Sequence, residues 1–314
     1  MNLADLAKAP ANSAALGTAP ARARPASRWL TWLAVLTAIA VVAMWAGQLS
    51  ARGAVTGGAG TRGAGTRGAG TRGAGNSAAA PQTGIVPPKN PSKSLPPSPN
   101  FLSSSSPCAL HPNGSPCNRQ VLKAIAHARK VLEKMSGMSF SLAAYLKLTR
   151  PEQLFVTVDL ERTARGLGPA TVLSKSLNKI AQAGAVADND PSLAKVPATL
   201  PGGGTVVGKG SNWAGGYPNA LAADYAWMYD DGLGSPNQDC TKSDKSGCWG
   251  HRDNILGTFS SSALCGGGAS AFAMGAGYVA SKKSQTELFV GVCGPAPTDG
   301  VFTWTKAKKL LGLK

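Results

Sequence analysis

Histidine is scarce in this sequence, and cysteine is missing before residue 108. The 314 residues include three histidines, and none of them lies between positions 128 and 250. A zinc site needs three or four protein ligands, most often histidine, cysteine or a carboxylate. With so few ligands of this kind near one another, the sequence predicts no metal site.

Acidic residues are also few at the amino-terminal end. Residues 1–100 carry 10 Lys/Arg and 1 acidic residue, whereas residues 201–300 carry 6 and 8. The formal net charge of +17 therefore comes mainly from the tail and from one early helical segment. Nucleic-acid binding needs basic residues gathered on a folded surface. We therefore predict no nucleic-acid partner.

Charge is absent from residues 29–46, WLTWLAVLTAIAVVAMWA. About 20 apolar residues span a bilayer, whereas the core of a signal peptide has about 7–15. This length predicts an N-terminal tail at 1–28 and a transmembrane anchor at 29–49, which makes the membrane one partner of the chain. A cleaved signal peptide, and hence a secreted protein, is the alternative.

All six cysteines follow the predicted anchor, at positions 108, 117, 240, 248, 265 and 293. An even number confined to one side of a membrane is typical of disulfides in an oxidising compartment. We therefore expect the domain to be extracytoplasmic. Proximity favours Cys108–Cys117 and Cys240–Cys248, which leaves Cys265–Cys293. The alternative is that some of the six are free thiols in the core.

Composition divides the rest of the chain. Residues 50–107 contain TRGAG three times at 61–75 and then a Pro/Ser-rich run, which predicts a disordered low-complexity linker. Residues 108–150 read as a helical extension with one amphipathic helix at 118–135, and residues 151–314 as the main domain. Helices are predicted at 151–166, 171–187, 218–231, 249–256 and 304–312, and strands at 271–280 and 286–294. Helices combined with an antiparallel strand pair indicate the α+β class.

A glycine-rich segment, Gly203 to Gly210, nearly matches the phosphate-binding P-loop. Gly210 stands where that motif needs the Ser/Thr hydroxyl that holds magnesium, and no helix follows. We interpret the segment as a flexible loop and predict no cofactor.

The stretch GCWGHRDNILG at 247–257 contains the histidine with the richest surroundings, His251. Its sequence neighbours include Asp224, Asp230, Asp231 and Asp253. A histidine bonded to a carboxylate is typical of a general base, and equally of a structural histidine. Both hypotheses stay open at this point. A nucleophile is not evident, because Ser211 does not lie in a strand-turn-helix elbow.

The order of motifs resembles the bacterial branch of the CAP superfamily (cysteine-rich secretory, antigen 5 and pathogenesis-related 1 proteins, also called SCP-like). The resemblance covers about 150–295 and is carried by GSNWA, the helix ending AWMYDD, the GHRDNIL box, LERTARGLGP and the strands AMGAGYVA and ELFVGVCG. It implies a three-layer α-β-α sandwich with a central cleft, here preceded by an added helix.

The same resemblance implies the site residues. The family's cleft carries two histidines and two acidic residues, which bind a divalent metal in some members. By position, His251 matches the histidine of the box, and Asp230 takes the place of the helix glutamate. Ser211 replaces the glutamate before Asn212, and the second histidine is missing. The resemblance therefore implies a degenerate cleft without metal.

These observations predict a membrane-tethered, extracytoplasmic CAP-like domain that binds a cell-wall or protein ligand, with Ser211, Asn212 and Asp253 as binding residues. Catalysis is not expected. The alternative is a cell-wall or peptide hydrolase in which His251 is the base and Asp230 orients it. A further alternative is a structural module whose partner contacts the basic helix at 118–135.

Overall fold

Five strands form a mixed β-sheet in the computed structural model, which describes residues 87–259, 264–268 and 270–314. The strands are β1 (Val172–Ser174), β2 (Thr205–Ala214), β3 (Ser270–Val279), β4 (Ser284–Cys293) and β5 (Gly300–Thr303). Their order is β2-β4-β3-β1-β5. Strand β1 is parallel to β3, and the other neighbouring pairs are antiparallel. The predicted strand pair is therefore confirmed as β3 and β4.

Helices surround this sheet. They are α1 (Pro107–Leu110), α2 (Ser115–Ala128), α3 (Leu142–Tyr145), α4 (Arg150–Thr163), α5 (Lys175–Ala187), α6 (Ala220–Tyr229), α7 (Gly250–Leu256) and α8 (Trp304–Leu311). A π-helical turn, Arg129–Glu133, extends α2. Helices and a sheet in one compact unit confirm the α+β class.

The ends of two helices show how the local sequence sets them. Helix α4 begins with a capping box, in which the Thr149 hydroxyl and the Glu152 carboxylate each bond the other residue's backbone N–H. Helix α2 begins three residues before the predicted start at 118, because Pro116 fits its first turn. The residue in the N-cap position is Gly114. The side chain of Asn118 donates to the Gly114 carbonyl at 2.9 Å.

Both faces of the sheet are covered. On one face, Phe272, Met274 and Phe289 belong to a large core shared with α2, α4, α6 and α7. On the opposite face, Ala273 and Val290 belong to a smaller core that includes Leu177 and Ala181 of α5. Side chains alternate between the two faces along a strand, so β3 and β4 contribute to both cores.

The domain begins earlier than the sequence predicted. The predicted linker ends at 107, but Phe101 is 1% exposed and lies in the large core. The Leu95 N–H donates to the Tyr229 carbonyl at 2.9 Å. The boundary at 107 is therefore too late, because apolar residues within the Pro/Ser-rich run find a hydrophobic surface to cover. Residues of the predicted extension, 108–150, pack into the same core.

The predicted loop at 203–210 is a strand for most of its length. Strand β2 pairs with β4 from Thr205 to Ala214, with an irregularity between Val206 and Gly208. The P-loop resemblance therefore has no structural counterpart here, because the segment runs as extended backbone along a sheet edge.

The three predicted disulfide pairings are confirmed. The bridges are Cys108–Cys117, Cys240–Cys248 and Cys265–Cys293. They are consistent with an extracellular or secreted domain. In the described part of the chain, no helix is long and apolar enough to cross a bilayer. The predicted anchor at 29–49 lies outside these residues.

Candidate functional site

A cavity of about 540 Å³ opens beside the end of α6 and the start of α7. Its wall combines three large aromatic side chains with polar groups. The aromatic residues are Trp213, Tyr217 and Trp227, and the ionisable ones are Asp190, Asp230, Asp231, Asp239 and His251. None of the described residues on this wall is a lysine, arginine, serine, threonine or cysteine.

His251 is held on this wall by Asp231. The Nδ1 atom of His251 lies 2.7 Å from Asp231 Oδ1, while Asp231 Oδ2 accepts from the backbone N–H of His251 at 3.1 Å. Asn237 donates to Asp231 Oδ1 at 2.7 Å, which fixes the carboxylate further. Among the described residues, none bonds the Nε2 atom of His251. This nitrogen is therefore the one available to a ligand.

The carboxylate that orients His251 is Asp231, not Asp230 as in the hydrolase alternative. Helix α6 ends at Tyr229, and Asp230 has φ −126° and ψ 51°, outside helical geometry. The backbone turn at Asp230 brings the next residue beneath α7. Asp230 instead lines the cavity. The residue is only 7% exposed, yet its Oδ1 atom has no hydrogen-bond partner among the described residues.

Burial and nearby charge shift the pKa values of His251, Asp231 and Asp230. Burial lowers the pKa of His251, but the hydrogen bond and charge of Asp231 outweigh it, so the pKa lies above its usual value. Burial raises the pKa of Asp231 despite the bond from His251. The pKa of Asp230 is raised to about 6, first by burial and then by the charge of Asp231.

The three predicted binding residues lie outside the cavity wall. Asn212 is fully buried, donates to the His251 carbonyl at 3.1 Å and accepts from Asn254 at 3.0 Å. Ser211 lies on β2, where its carbonyl accepts from Asn254 at 2.9 Å. Asp253 is exposed and accepts from Asn90 at 2.8 Å. Asn212 and Asn254 therefore attach α7 to the sheet, which positions His251 from behind.

Arg252 connects the site to a buried network of charges. Its Nη1 atom donates to the Met228 carbonyl at 2.8 Å, and its Nη2 atom pairs with Glu133. Glu133 also pairs with Arg165, which pairs in turn with Glu161. Arg129 lies 2.7 Å from Glu161, whose other oxygen accepts from the Tyr229 hydroxyl at 2.6 Å. This network, which we call the Arg/Glu network, ties the start of α7 to α2, α4 and α6.

Sequence reasoning missed several wall residues. Trp213 lies on β2, and the glycines of this segment led to the prediction of a loop before it. Asp190 follows the end of α5. Residues 236–239 lie immediately before Cys240, the first cysteine of the Cys240–Cys248 bridge. The polar run Asn237-Gln238-Asp239 beside a bridged cysteine was the available signal for them. Within the described ranges, no group of three or more His, Cys, Asp or Glu residues could hold a metal ion.

Two further carboxyl groups are buried without partners near the site. Asp224 is fully buried, and neither of its oxygens has a hydrogen-bond partner. Burial raises the pKa of Asp224 well above its usual value, and the charges of Glu161 and Glu287 raise it further. Glu287 is also fully buried, and burial raises its pKa in the same direction.

Because the pKa values of Asp224 and Glu287 are raised, we expect the free energy of unfolding to fall as the pH rises from 5 to 8. A carboxyl with a raised folded-state pKa contributes stability that is fully present below its unfolded pKa and is lost as the pH rises through the folded value. We expect Asp224→Asn to flatten this fall and to raise the free energy of unfolding at pH 8 by more than about 1 kcal/mol. Urea unfolding at both pH values measures it. The exposed control Asp244→Asn should keep the wild-type slope, and an equal slope in Asp224→Asn would contradict the prediction.

Comparison with protein-family models, curated proteins and solved structures finds no significant match to the chain.

Proposed function

We propose that the chain is a membrane-tethered, extracytoplasmic binding protein whose domain is a divergent member of the CAP superfamily. The sheet covered by helices on both faces supports the three-layer sandwich of that family. The GHRDNIL box supports it as well, because His251 from this box lies on the wall of the cavity described above. The disulfides fit the extracytoplasmic location.

The binding function is inferred from the composition of the cavity wall. Aromatic surface provides apolar contact area, and a few directed polar groups provide specificity, which is the usual make-up of a ligand pocket. The described wall offers no hydroxyl of Ser or Thr as a nucleophile, and all six cysteine sulfurs are bridged. A bridged sulfur cannot attack a substrate. Binding therefore accounts for this wall better than covalent catalysis.

Hydrolysis by an activated water is the second candidate. It is favoured by one observation: His251 is oriented by Asp231 with its Nε2 atom free, and Asp230 lies on the same wall with a pKa of about 6. In that reaction the histidine would take a proton from water, and the protonated Asp230 would supply one to the leaving group.

Cosedimentation of the purified full-length protein with insoluble peptidoglycan tests both candidates. We expect the protein to bind without releasing soluble fragments, and His251→Ala to weaken binding about tenfold through loss of a polar contact. Asp244→Asn, exposed and outside the cavity wall, is the surface control and should bind as wild type. Release of fragments that both His251→Ala and Asp230→Asn abolish would replace binding by hydrolysis. No binding to peptidoglycan or to a peptide library would refute the binding function.

A further inference from the structure

The charge of the cavity is opposite to that of the chain. The full sequence has a formal net charge of +17, yet the described cavity wall carries four aspartates and no lysine or arginine. Its one basic group, His251, is already paired with Asp231. None of the remaining carboxylates on the wall forms an ion pair with a described lysine, arginine or histidine.

Asp230 is the member of this group that lacks compensation most clearly. It is 7% exposed, its Oδ1 atom has no hydrogen-bond partner, and no described lysine, arginine or histidine forms an ion pair with it. A buried carboxylate without a donor is costly to keep charged. A cation supplied by a ligand in the cavity would provide the missing partner.

The aromatic part of the wall suits the same kind of ligand. Trp213, Tyr217 and Trp227 line the cavity together with Asp230. Ammonium and guanidinium groups are attracted to aromatic faces, and the attraction is stronger where water is excluded. Aromatic walls beside an unpaired carboxylate thus offer one surface for the alkyl stem of a basic ligand and another for its charge.

We propose that the cavity binds an organic cation, the ammonium or guanidinium group of a basic ligand, with Asp230 as its counterion and the partly exposed Trp213 and Tyr217 as its aromatic walls. This inference rests on the binding function proposed above and names the class of ligand. His251 supplies a second polar contact through Nε2, and Asp231 keeps the ring in place.

Binding of the cation should weaken as the pH falls from 7.5 to 5. Asp230 loses its charge over this range, since its pKa is about 6. The ionisable groups that face it act in the same direction or stay unchanged. His251, Asp231 and Asp190, whose pKa values are raised, gain protons on acidification, Asp239 lines the same cavity, and Tyr217 and Tyr225 stay neutral.

Matched small probes test the proposal on the full-length protein. The probes are Nα-acetyl-lysine amide and Nα-acetyl-arginine amide, with the neutral norleucine and citrulline derivatives as isosteres and the glutamate derivative as the anion. Calorimetry gives the affinity, and tryptophan fluorescence reports on Trp213 and Trp227. We expect each cation to bind at least about tenfold more tightly than its neutral isostere. The tighter of the two cations identifies the ligand as ammonium or guanidinium.

Asp230→Asn should remove most of this preference, while the exposed Asp244→Asn, which changes the charge equally outside the cavity wall, should keep it. Equal affinity for citrulline and arginine, preference for the anion, or binding of Zn²⁺ in place of the cations would overturn the inference. The comparison of each cation with its neutral isostere in the wild-type protein tests the proposal even if Asp230→Asn fails to fold. If peptidoglycan binds in a His251-dependent way but the cations do not bind, the proposed class of ligand is wrong and the proposed binding function stands. If neither binds, both fall.

Discussion

Glu161→Gln is expected to lower the free energy of unfolding by about 3–5 kcal/mol, because removing one member of a buried ion pair leaves its partners charged and uncompensated. Glu161 is fully buried between Arg129 and Arg165. Glutamine keeps the size of the side chain, so the loss reports on the charge and on the hydrogen bonds that the carboxylate accepts, without a cavity. Chemical denaturation at pH 7 measures it.

The matched control for this experiment is an exposed ion pair. Asp188 lies 2.8 Å from Lys282 with both side chains more than 40% exposed, and Asp188→Asn should cost less than about 1 kcal/mol. Asparagine also tolerates the positive φ of this position. If both variants lost the same small amount of stability, the Arg/Glu network would not hold the fold together.

The pH dependence of this network has a defined sign. Burial alone would raise the pKa of Glu161, but Arg129 and Arg165 lower it to about 2. Because the folded-state pKa lies below the usual value of 4.5, the stabilisation is fully present above that value and is lost as the pH falls toward 2. The comparison of variants at pH 7 is therefore made where the whole effect is present.

Gly275→Ala is expected to destabilise the domain by at least about 2 kcal/mol, because the added methyl has no space. A Cβ atom at this position would lie 2.5 Å from the carbonyl oxygen of Leu177 on α5. The next inward glycine, Gly277, meets the backbone of the same helix at 2.6 Å. Helix α5 therefore packs directly on the backbone of β3, and neither side of the contact can move away cheaply.

Gly168→Ala is the control for this substitution, since a Cβ atom at Gly168 meets nothing within 4 Å and the backbone conformation there suits other residues. Thermal unfolding of the two variants gives the comparison. A melting temperature for Gly275→Ala within 1–2 °C of that of Gly168→Ala, equivalent to a few tenths of a kcal/mol, would contradict the close packing.

Much of this fold could be predicted from periodicity, and the failures have physical causes. Helices α4, α6 and α8 and the β3–β4 pair followed from apolar spacing and end signals. Strand β2 did not, because its glycines weaken the strand pattern while its backbone bonds to β4 hold it extended. Strands β1 and β5, of three and four residues, are too short for any period to be seen.

The site was predicted in part. His251 was singled out from its surroundings, and it does lie on the cavity wall. The carboxylate was assigned one residue away from the one that bonds it. Helical spacing places Asp230 on the face of α6 that continues from Trp227, but this spacing stops applying where the helix ends at Tyr229. The position of the backbone after a helix depends on tertiary contacts, here the Trp249 N–H on the Asp231 carbonyl at 3.1 Å.

The wall of the cavity and the framework behind it are encoded in different parts of the chain. Apart from Leu102, Asn189 and Asp190, every described wall residue falls between positions 213 and 251. The Arg/Glu network draws Arg129, Glu133, Glu161 and Arg165 from earlier helices and reaches this stretch through Tyr229 and Arg252. Substitutions at 236–239, the wall residues just before the Cys240–Cys248 bridge, can therefore alter ligand choice while the framework stays intact. Related chains that share the framework could diverge in what they bind through this segment alone.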